Sequence, residues 1–109
     1  MNRDEIPPGT LYLLILKTLA LQRELHGYEI AEAIQRTSDD VLQVEEGSLY
    51  PALQRMLIRG WVTAKWGITA GNRRARYYQL TAAGRKQLAL EVSQFERVIG
   101  AITRVIQTA

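Results

Sequence analysis

Residues 47–80 read GSLYPALQRMLIRGWVTAKWGITAGNRRARYYQL, a helical pattern that passes into two alternating segments. Leucine and methionine recur at helical spacing in the first part, which predicts a helix over residues 47–59 that Ser48 caps. Residues 61–66 and 74–80 alternate and are separated by a loop containing Gly-Asn, so both are predicted strands. The stretch therefore predicts a helix followed by a two-stranded β-ribbon.

Two shorter helices are predicted before this stretch. Thr10 caps the first, which extends to about Gln22 and is apolar nearly all round, so it must be buried on more than one side, a pattern that suggests contact with a second subunit. The second covers residues 28–36 and follows a turn at His26-Gly27. Residues 41–44 are compatible with one short strand.

A long helix is predicted to follow the ribbon, with Thr81 as its cap. Its apolar residues are spaced by four, three, four, three and four positions, which is the a/d pattern of a helix–helix seam. At 1.5 Å per residue, residues 81–107 would span about 40 Å, longer than a domain of this size can cover. We therefore expect a homodimer whose interface contains Leu88, Val92, Phe95, Ile99, Ile102 and Ile106.

The net charge of +3 over 109 residues conceals an uneven distribution. Residues 47–90 hold eight basic residues and no acidic one, whereas the remainder holds six basic and all eleven acidic residues. A field of one sign attracts polyanions, and the isoelectric point of about 9.5 agrees with this. The charge pattern therefore predicts a nucleic acid as partner.

Composition argues against most kinds of enzyme. The chain has no cysteine and one histidine, His26, so thiolate chemistry and two-histidine sites are excluded, and no catalytic residue, cofactor or metal is expected. The longest apolar run, residues 11–16, is too short to cross a bilayer. Two acids stand near the N-terminus, where a secretory signal would be basic. We expect a cytoplasmic protein with no membrane partner.

Three helices followed by a two-stranded ribbon are the parts of a winged helix-turn-helix. The chain also carries an ordered set of motifs: HGY at 26–28, EGSLYPAL at 46–53, GWV at 60–62, RARYY at 74–78 and LTAAG at 80–84. Over about residues 10–90 this set closely resembles the PadR family of bacterial transcriptional regulators. The short C-terminal extension is similar to the family's small-subunit branch, in which a single long helix makes the dimer.

The resemblance implies a mainly α fold with a small β-ribbon. Residues 1–80 would form the winged helix-turn-helix with an N-terminal arm that ends at Pro7-Pro8-Gly9, and residues 81–109 the dimerisation helix. It also implies a homodimer that binds an inverted-repeat operator in double-stranded DNA, commonly as a repressor. A small aromatic or drug-like effector between subunits is a further possibility, although the last helix offers only Phe95 as an aromatic residue.

In this architecture the third helix enters the major groove and the loop between the strands flanks it. An arginine can form a bidentate hydrogen bond with a guanine edge, and a glutamine can pair with adenine. Hydroxyl groups can bond to phosphates or bases. Wing arginines would contact the backbone or a narrow minor groove. The residues expected at DNA are Ser48, Tyr50, Pro51, Gln54, Arg55, Arg73, Arg74 and Arg76.

Alternatives stay open at this level. Glu45 and Glu46 precede the third helix, where they favour its dipole but repel phosphates, or one accepts a hydrogen bond from cytosine. A winged helix can also bind another protein, because a fold does not determine a function. A small hydrolase would need a nucleophile and a base, and only carboxylate pairs without a supporting motif are available.

Structural roles are favoured over functional ones at four further positions. His26 is expected to be a turn residue that bonds to the backbone. Tyr78 would belong to the core, because it shares a strand face with Leu80. Trp61 and Trp66 are expected to pack on the strands rather than to form a ligand cage.

Overall fold

The computed structural model describes residues 9–109, so the N-terminal arm expected before Gly9 lies outside the described residues. The described part contains four helices and three strands, and the expectation of a mainly α fold with a small β component is confirmed. In chain order the elements are α1 (Leu11–Leu21), β1 (Leu25–His26), α2 (Gly27–Thr37), α3 (Glu46–Ile58), β2 (Val62–Ile68), β3 (Arg74–Leu80) and α4 (Ala82–Gln107).

The sheet has three antiparallel strands in the order β1-β3-β2, so the expected two-stranded ribbon is incomplete. β2 and β3 pair from Val62 opposite Leu80 to Ile68 opposite Arg74. β1 adds Leu25 opposite Tyr78 on the other edge of β3. The expected turn at His26 is therefore wrong: His26 ends a strand and is also the N-cap of α2. A two-residue strand is too short to show a period of two in the sequence.

Residues 41–44 do not form a strand, apart from an isolated bridge at Leu42. They follow a tight turn after α2, in which Asp39 and Asp40 both have positive φ, 52° and 66°. The Ser38 hydroxyl accepts a hydrogen bond from the Leu42 N–H at 3.0 Å. Glycine adopts this left-handed backbone most easily, and residues with short polar side chains come next. This preference explains the pair of aspartates at a solvated turn.

α3 begins earlier than expected. The amide groups of Ser48 and Leu49 both donate to the Glu45 carbonyl, at 3.0 and 2.9 Å. Glu45 is therefore the N-cap, and the prediction of Ser48 as the cap is wrong. Pro51 lies inside the helix, where it cannot donate to the carbonyl of Gly47, the residue four positions before it. Glu46 occupies the first turn, where its negative charge interacts favourably with the helix dipole.

The core lies between the helices and one face of the sheet. α1 packs against α2, α4 and β3, which satisfies much of its apolar surface within the chain. The predicted apolar face of α3 is buried, and Tyr78 is only 6% exposed, so its assignment to the core is confirmed. The large side chains that are most completely buried are Ile15, Leu16, Leu19, Ile30, Leu49, Leu53, Met56 and Val62.

α4 begins as the sequence predicts. The Thr81 hydroxyl oxygen accepts from the Gly84 N–H at 3.0 Å, and the hydroxyl donates to the Gly60 carbonyl at 2.7 Å. Leu88 is partly buried against the core, so the first member of the heptad seam already has a partner within the chain. Farther along, the seam residues Phe95, Ile99, Ile102 and Ile106 are 39%, 43%, 48% and 75% exposed, which leaves a continuous apolar stripe at the surface.

Candidate nucleic-acid interface

The N-terminus of α2 and the first half of α3 are joined by a direct packing contact. The Tyr50 ring lies on Gly27, where a Cβ atom would be 2.7 Å from Tyr50 Cε1 and 2.8 Å from its hydroxyl. Glycine leaves room for the ring in this position without a shift. The first turn of α2 is fixed by the Glu29 carboxylate, which accepts from the His26 N–H at 3.1 Å. Tyr50 is consequently held on the side of α3 that faces α2 and the sheet.

The wing is the segment from Trp66 to Arg76, which contains the turn between β2 and β3. Its turn is closed by the Thr69 N–H, which donates to the Arg73 carbonyl at 2.8 Å, and Asn72 has a positive φ of 62°. The Tyr77 ring packs against Gly67, where a Cβ would lie 2.8 Å from Tyr77 Cε1. These contacts give the wing a defined shape.

A groove of about 930 Å³ separates the wing from α3 and the start of α2. It brings together five of the residues predicted at DNA. The α3 side is lined by Tyr50 and Gln54, and the wing side by Arg73, Arg74 and Arg76. Glu29 and Glu32 of α2 line it as well, so one wall of the groove is acidic.

The wing arginines are arranged around an exposed tryptophan. The Arg74 guanidinium lies 4.6 Å from the centroid of the Trp66 ring, and that of Arg76 lies 5.8 Å from it. Trp66 is 59% exposed, so its packing on the strand, through Arg74 and Arg76 of β3, lies at the surface and not in the core. Arg76 has a buried Nε with no hydrogen-bond partner within residues 9–109. Cation–π contacts of this kind orient a guanidinium without neutralising it.

The opposite side of α3 carries a second group of cations and rings, in which the sequence predicted Arg55 but not the contacts with the rings. Arg55 donates from Nε to the hydroxyl of Tyr12 in α1, and its guanidinium lies 5.6 Å from the centroid of that ring. Arg59 lies 5.7 Å from the Tyr12 ring and 5.2 Å from that of Trp61. The one sequence signal was the spacing of Arg55 and Arg59, a single helical turn apart.

The predicted DNA-binding residues therefore fall into three places. Tyr50, Gln54 and the wing arginines surround the groove. Ser48 and Pro51 are exposed on α3 but do not line that groove. Arg55 is also exposed and lies on the side of α3 nearest α1.

One basic residue of the acid-free stretch is paired with an acid from outside it: Lys65 Nζ lies 3.3 Å from a carboxylate oxygen of Glu24. Burial raises the pKa of Tyr78, and the hydroxyl of nearby Tyr50 acts in the same direction, while the positive charge of Arg76 opposes the shift. Within the described part of the chain, no group of three metal-ligating side chains is found. No helix in residues 9–109 is long and apolar enough to cross a membrane.

Comparison with known proteins relates this architecture to a family. The profile of the transcriptional regulator PadR-like family matches residues 15–90. An uncharacterised protein of Lysinibacillus sphaericus is 30% identical over 98 residues, which cover 90% of this chain and 89% of the relative.

Solved structures support the same family assignment. A transcriptional regulator from Clostridium thermocellum superposes with a TM-score of 0.82 at 25% identity, covering 91% of this chain and 95% of its own. A PadR-like transcriptional regulator from Bacillus cereus ATCC 14579 has a TM-score of 0.76 at 26% identity, with 93% and 95% covered. The winged-helix architecture, the match of the family profile and these neighbours together establish that the chain belongs to the PadR-like family of transcriptional regulators.

Proposed function

We propose that this regulator is a cytoplasmic homodimer that binds an inverted-repeat operator in double-stranded DNA and acts as a repressor. The observation that carries the proposal is the groove in which Tyr50 and Gln54 of α3 face Arg73, Arg74 and Arg76 of the wing. A helix beside a cationic hairpin matches the shape of a duplex, with the helix in the major groove and the wing against the adjacent backbone.

Base recognition falls to the part of α3 that projects farthest from the core. Gln54 is exposed, one turn from Tyr50, and its amide can form a bidentate pair with adenine. The hydroxyl groups of Ser48 and Tyr50 can bond to phosphates or base edges, and Pro51 can contact them through its ring. Phosphate contacts set the register of α3, and Gln54 reads the sequence.

The wing supplies the non-specific part of the affinity. Arg73 and Arg74 are exposed, and the described ion pairs include neither of them. Their charge is therefore free to displace counterions from DNA. Because the acidic wall formed by Glu29 and Glu32 repels phosphates, we expect the duplex to contact the α3 and wing edges of the groove and not α2.

Dimerisation through α4 would supply a second DNA-binding domain for the other half-site. A two-fold dimer matches an inverted repeat whose half-sites are about 34 Å apart, or a multiple of that distance. The exposed stripe of Phe95, Ile99, Ile102 and Ile106 supports this role, because a monomer would leave these side chains in water. In this arrangement residues 1–80 bind DNA and residues 81–109 join the subunits.

Binding to the DNA upstream of the chain's own gene tests the proposal. Fluorescence anisotropy at several salt concentrations should give a logarithm of the affinity that falls linearly with the logarithm of salt. The double variant Arg73→Ala/Arg74→Ala should lower the slope by about 0.9 for each phosphate that is no longer neutralised.

The control for a positive charge away from the groove is Lys17→Ala, which removes one such exposed charge from α1. Lys17→Ala should leave the slope unchanged. Binding that does not depend on salt would contradict the proposal and favour a winged helix that binds protein. An unchanged slope in the double variant would contradict the role of the wing.

A further inference from the structure

Two arginines on the α1 side of α3 are held by aromatic rings from other elements. Tyr12 belongs to α1, and its hydroxyl is bonded to Arg55 while its ring lies within 6 Å of both guanidinium groups. Trp61, just after α3, holds the other side of Arg59 and meets the Tyr12 ring edge-on, with centroids 5.5 Å apart. The Arg59 guanidinium is thus contacted by two rings, and that of Arg55 by the hydroxyl and the ring of Tyr12.

The two cations repel each other within the folded chain. Arg55 and Arg59 are like charges one helical turn apart, a spacing that destabilises a helix by a few tenths of a kcal/mol. The contacts between basic and acidic side chains within residues 9–109 join other groups: His26 with Glu29, Arg36 with Glu32, and Lys65 with Glu24. The aromatic rings orient the two cations but leave their charge in place. A pair of fixed, uncompensated guanidinium groups is suited to an anion.

The position on α3 identifies which anion. Leu49, Leu53 and Met56 form the buried stripe, and Gln54 and Ile58 lie on the side that projects away from it. Arg55 and Arg59 flank that projecting side on the edge nearest α1, whereas Tyr50 flanks it on the edge nearest the wing. When a helix lies in the major groove, its central side chains meet base edges and its two flanks meet the phosphate backbones.

We propose that Arg55 and Arg59 bind phosphates of the DNA strand on the α1 side of the major groove, with Tyr12 and Trp61 as positioning residues. This rests on the proposed DNA-binding function and adds a second backbone contact opposite the wing. It also assigns Arg55 to the backbone, although the sequence alone made it a candidate for a guanine edge. Its Nε is already engaged by Tyr12, so its two terminal nitrogens are left for a phosphate.

The test uses the full chain and two fluorescent duplexes, one from upstream of its own gene and one of mixed sequence. Arg59→Gln should lower the salt slope by about 0.9 on both duplexes and leave the ratio of their affinities unchanged. Tyr12→Phe retains the ring and the cations but removes the hydrogen bond, so it should weaken binding to both duplexes about 2- to 10-fold. In an Arg55→Gln background, Tyr12→Phe should have no further effect.

Lys17→Gln is the control for loss of one positive charge, and thermal unfolding verifies that each variant is folded. An unchanged salt slope for Arg59→Gln, with a reduced slope for the wing variants, would overturn this inference while the proposed function stands. Weaker binding of Arg55→Gln to the upstream duplex alone would also overturn it, because Arg55 would then read a base. If the unaltered chain shows no salt-dependent binding to either duplex, both proposals fail.

Discussion

Gly27 and Tyr50 form a contact that admits a larger residue at position 27 only if the ring shifts: a Cβ there would lie 2.7 Å from Cε1 of the Tyr50 ring. The contact connects the start of α2 to the helix that faces DNA in our proposal. Because Tyr50 is 45% exposed, its ring can swing away when it is pushed. The contact therefore controls the position of Tyr50 more than it controls the stability of the fold.

Gly27→Ala tests this relationship. We expect it to lower the free energy of unfolding by about 1 kcal/mol, at the low end of the range for overpacking. The loss in free energy of DNA binding should be larger than this loss of stability. Gly47→Ala is the matched control, since a Cβ at Gly47 meets nothing within 4 Å. In a Tyr50→Ala background, Gly27→Ala should become neutral or stabilising, because alanine is the better helix residue. A cost that persists there, measured by urea unfolding, would mean that the ring is not its cause.

Gly84 should respond very differently from Gly27. A Cβ at Gly84 would lie 2.1 Å from the Trp61 carbonyl oxygen, which is backbone and already accepts from the Thr81 N–H at 3.0 Å. Neither group can move without breaking the junction between β2 and α4. We expect Gly84→Ala to cost about 3 kcal/mol or more.

Gly100 in the same helix provides the comparison for Gly84. The nearest atom to a Cβ there is Nη1 of Arg104, at 3.6 Å, which is an ordinary contact. Gly100→Ala should therefore stabilise the protein by up to about 1 kcal/mol through helix propensity. If thermal unfolding gave the two alanine variants similar stabilities, the close approach at Gly84 would not constrain the fold.

The parts of the fold that could be predicted are those with a local signal. The spacing of Leu49, Leu53 and Met56 identified the buried face of α3, because apolar residues three or four positions apart lie on one face of a helix. β1 could not be identified in this way, since its two residues pair with Tyr77 and Tyr78 far along the chain. Ser48 has the better capping chemistry, but Glu45 begins the helix, so propensity was overridden by tertiary context.

The same distinction holds for the candidate site. Gln54 and the wing arginines could be assigned from the exposed face of a helix and from a basic hairpin. The contact of Tyr12 with Arg55 could not, because it depends on how α1 packs beside α3. Trp66 was expected to pack on the strands, and it does so against Arg74 of β3. Alternation along a strand does not determine that this contact lies on the exposed face.

The buried phenol of Tyr78 predicts a dependence of stability on pH. Burial raises its pKa in the folded state above the ordinary tyrosine value of about 10. Above pH 10 the unfolded chain therefore loses this proton first, and the free energy of unfolding falls as pH rises towards the folded pKa. Below pH 10 the folded and unfolded states both keep the proton, so Tyr78 makes a constant contribution to the free energy of unfolding.

Tyr78→Phe removes this ionisation while keeping the ring. Urea unfolding of both proteins between neutral pH and pH 11 should show a smaller alkaline decline for the variant. Parallel declines would indicate that the phenol of Tyr78 ionises equally easily in the folded and unfolded states.

The apolar stripe on α4 predicts how the proposed dimer responds to charge. Ile99→Asp/Ile102→Asp would place two carboxylates in the seam, where each ion loses its hydration, and we expect monomers or unfolded protein by light scattering. Gln94→Asp/Ala101→Asp is the matched control, since both positions are exposed on α4 and off the seam, and it should keep the mass of the dimer. A monomeric seam variant that remains folded should bind a single half-site weakly and lose the tight binding to the inverted repeat. An unaltered dimer mass for the seam variant would show that α4 does not join the subunits.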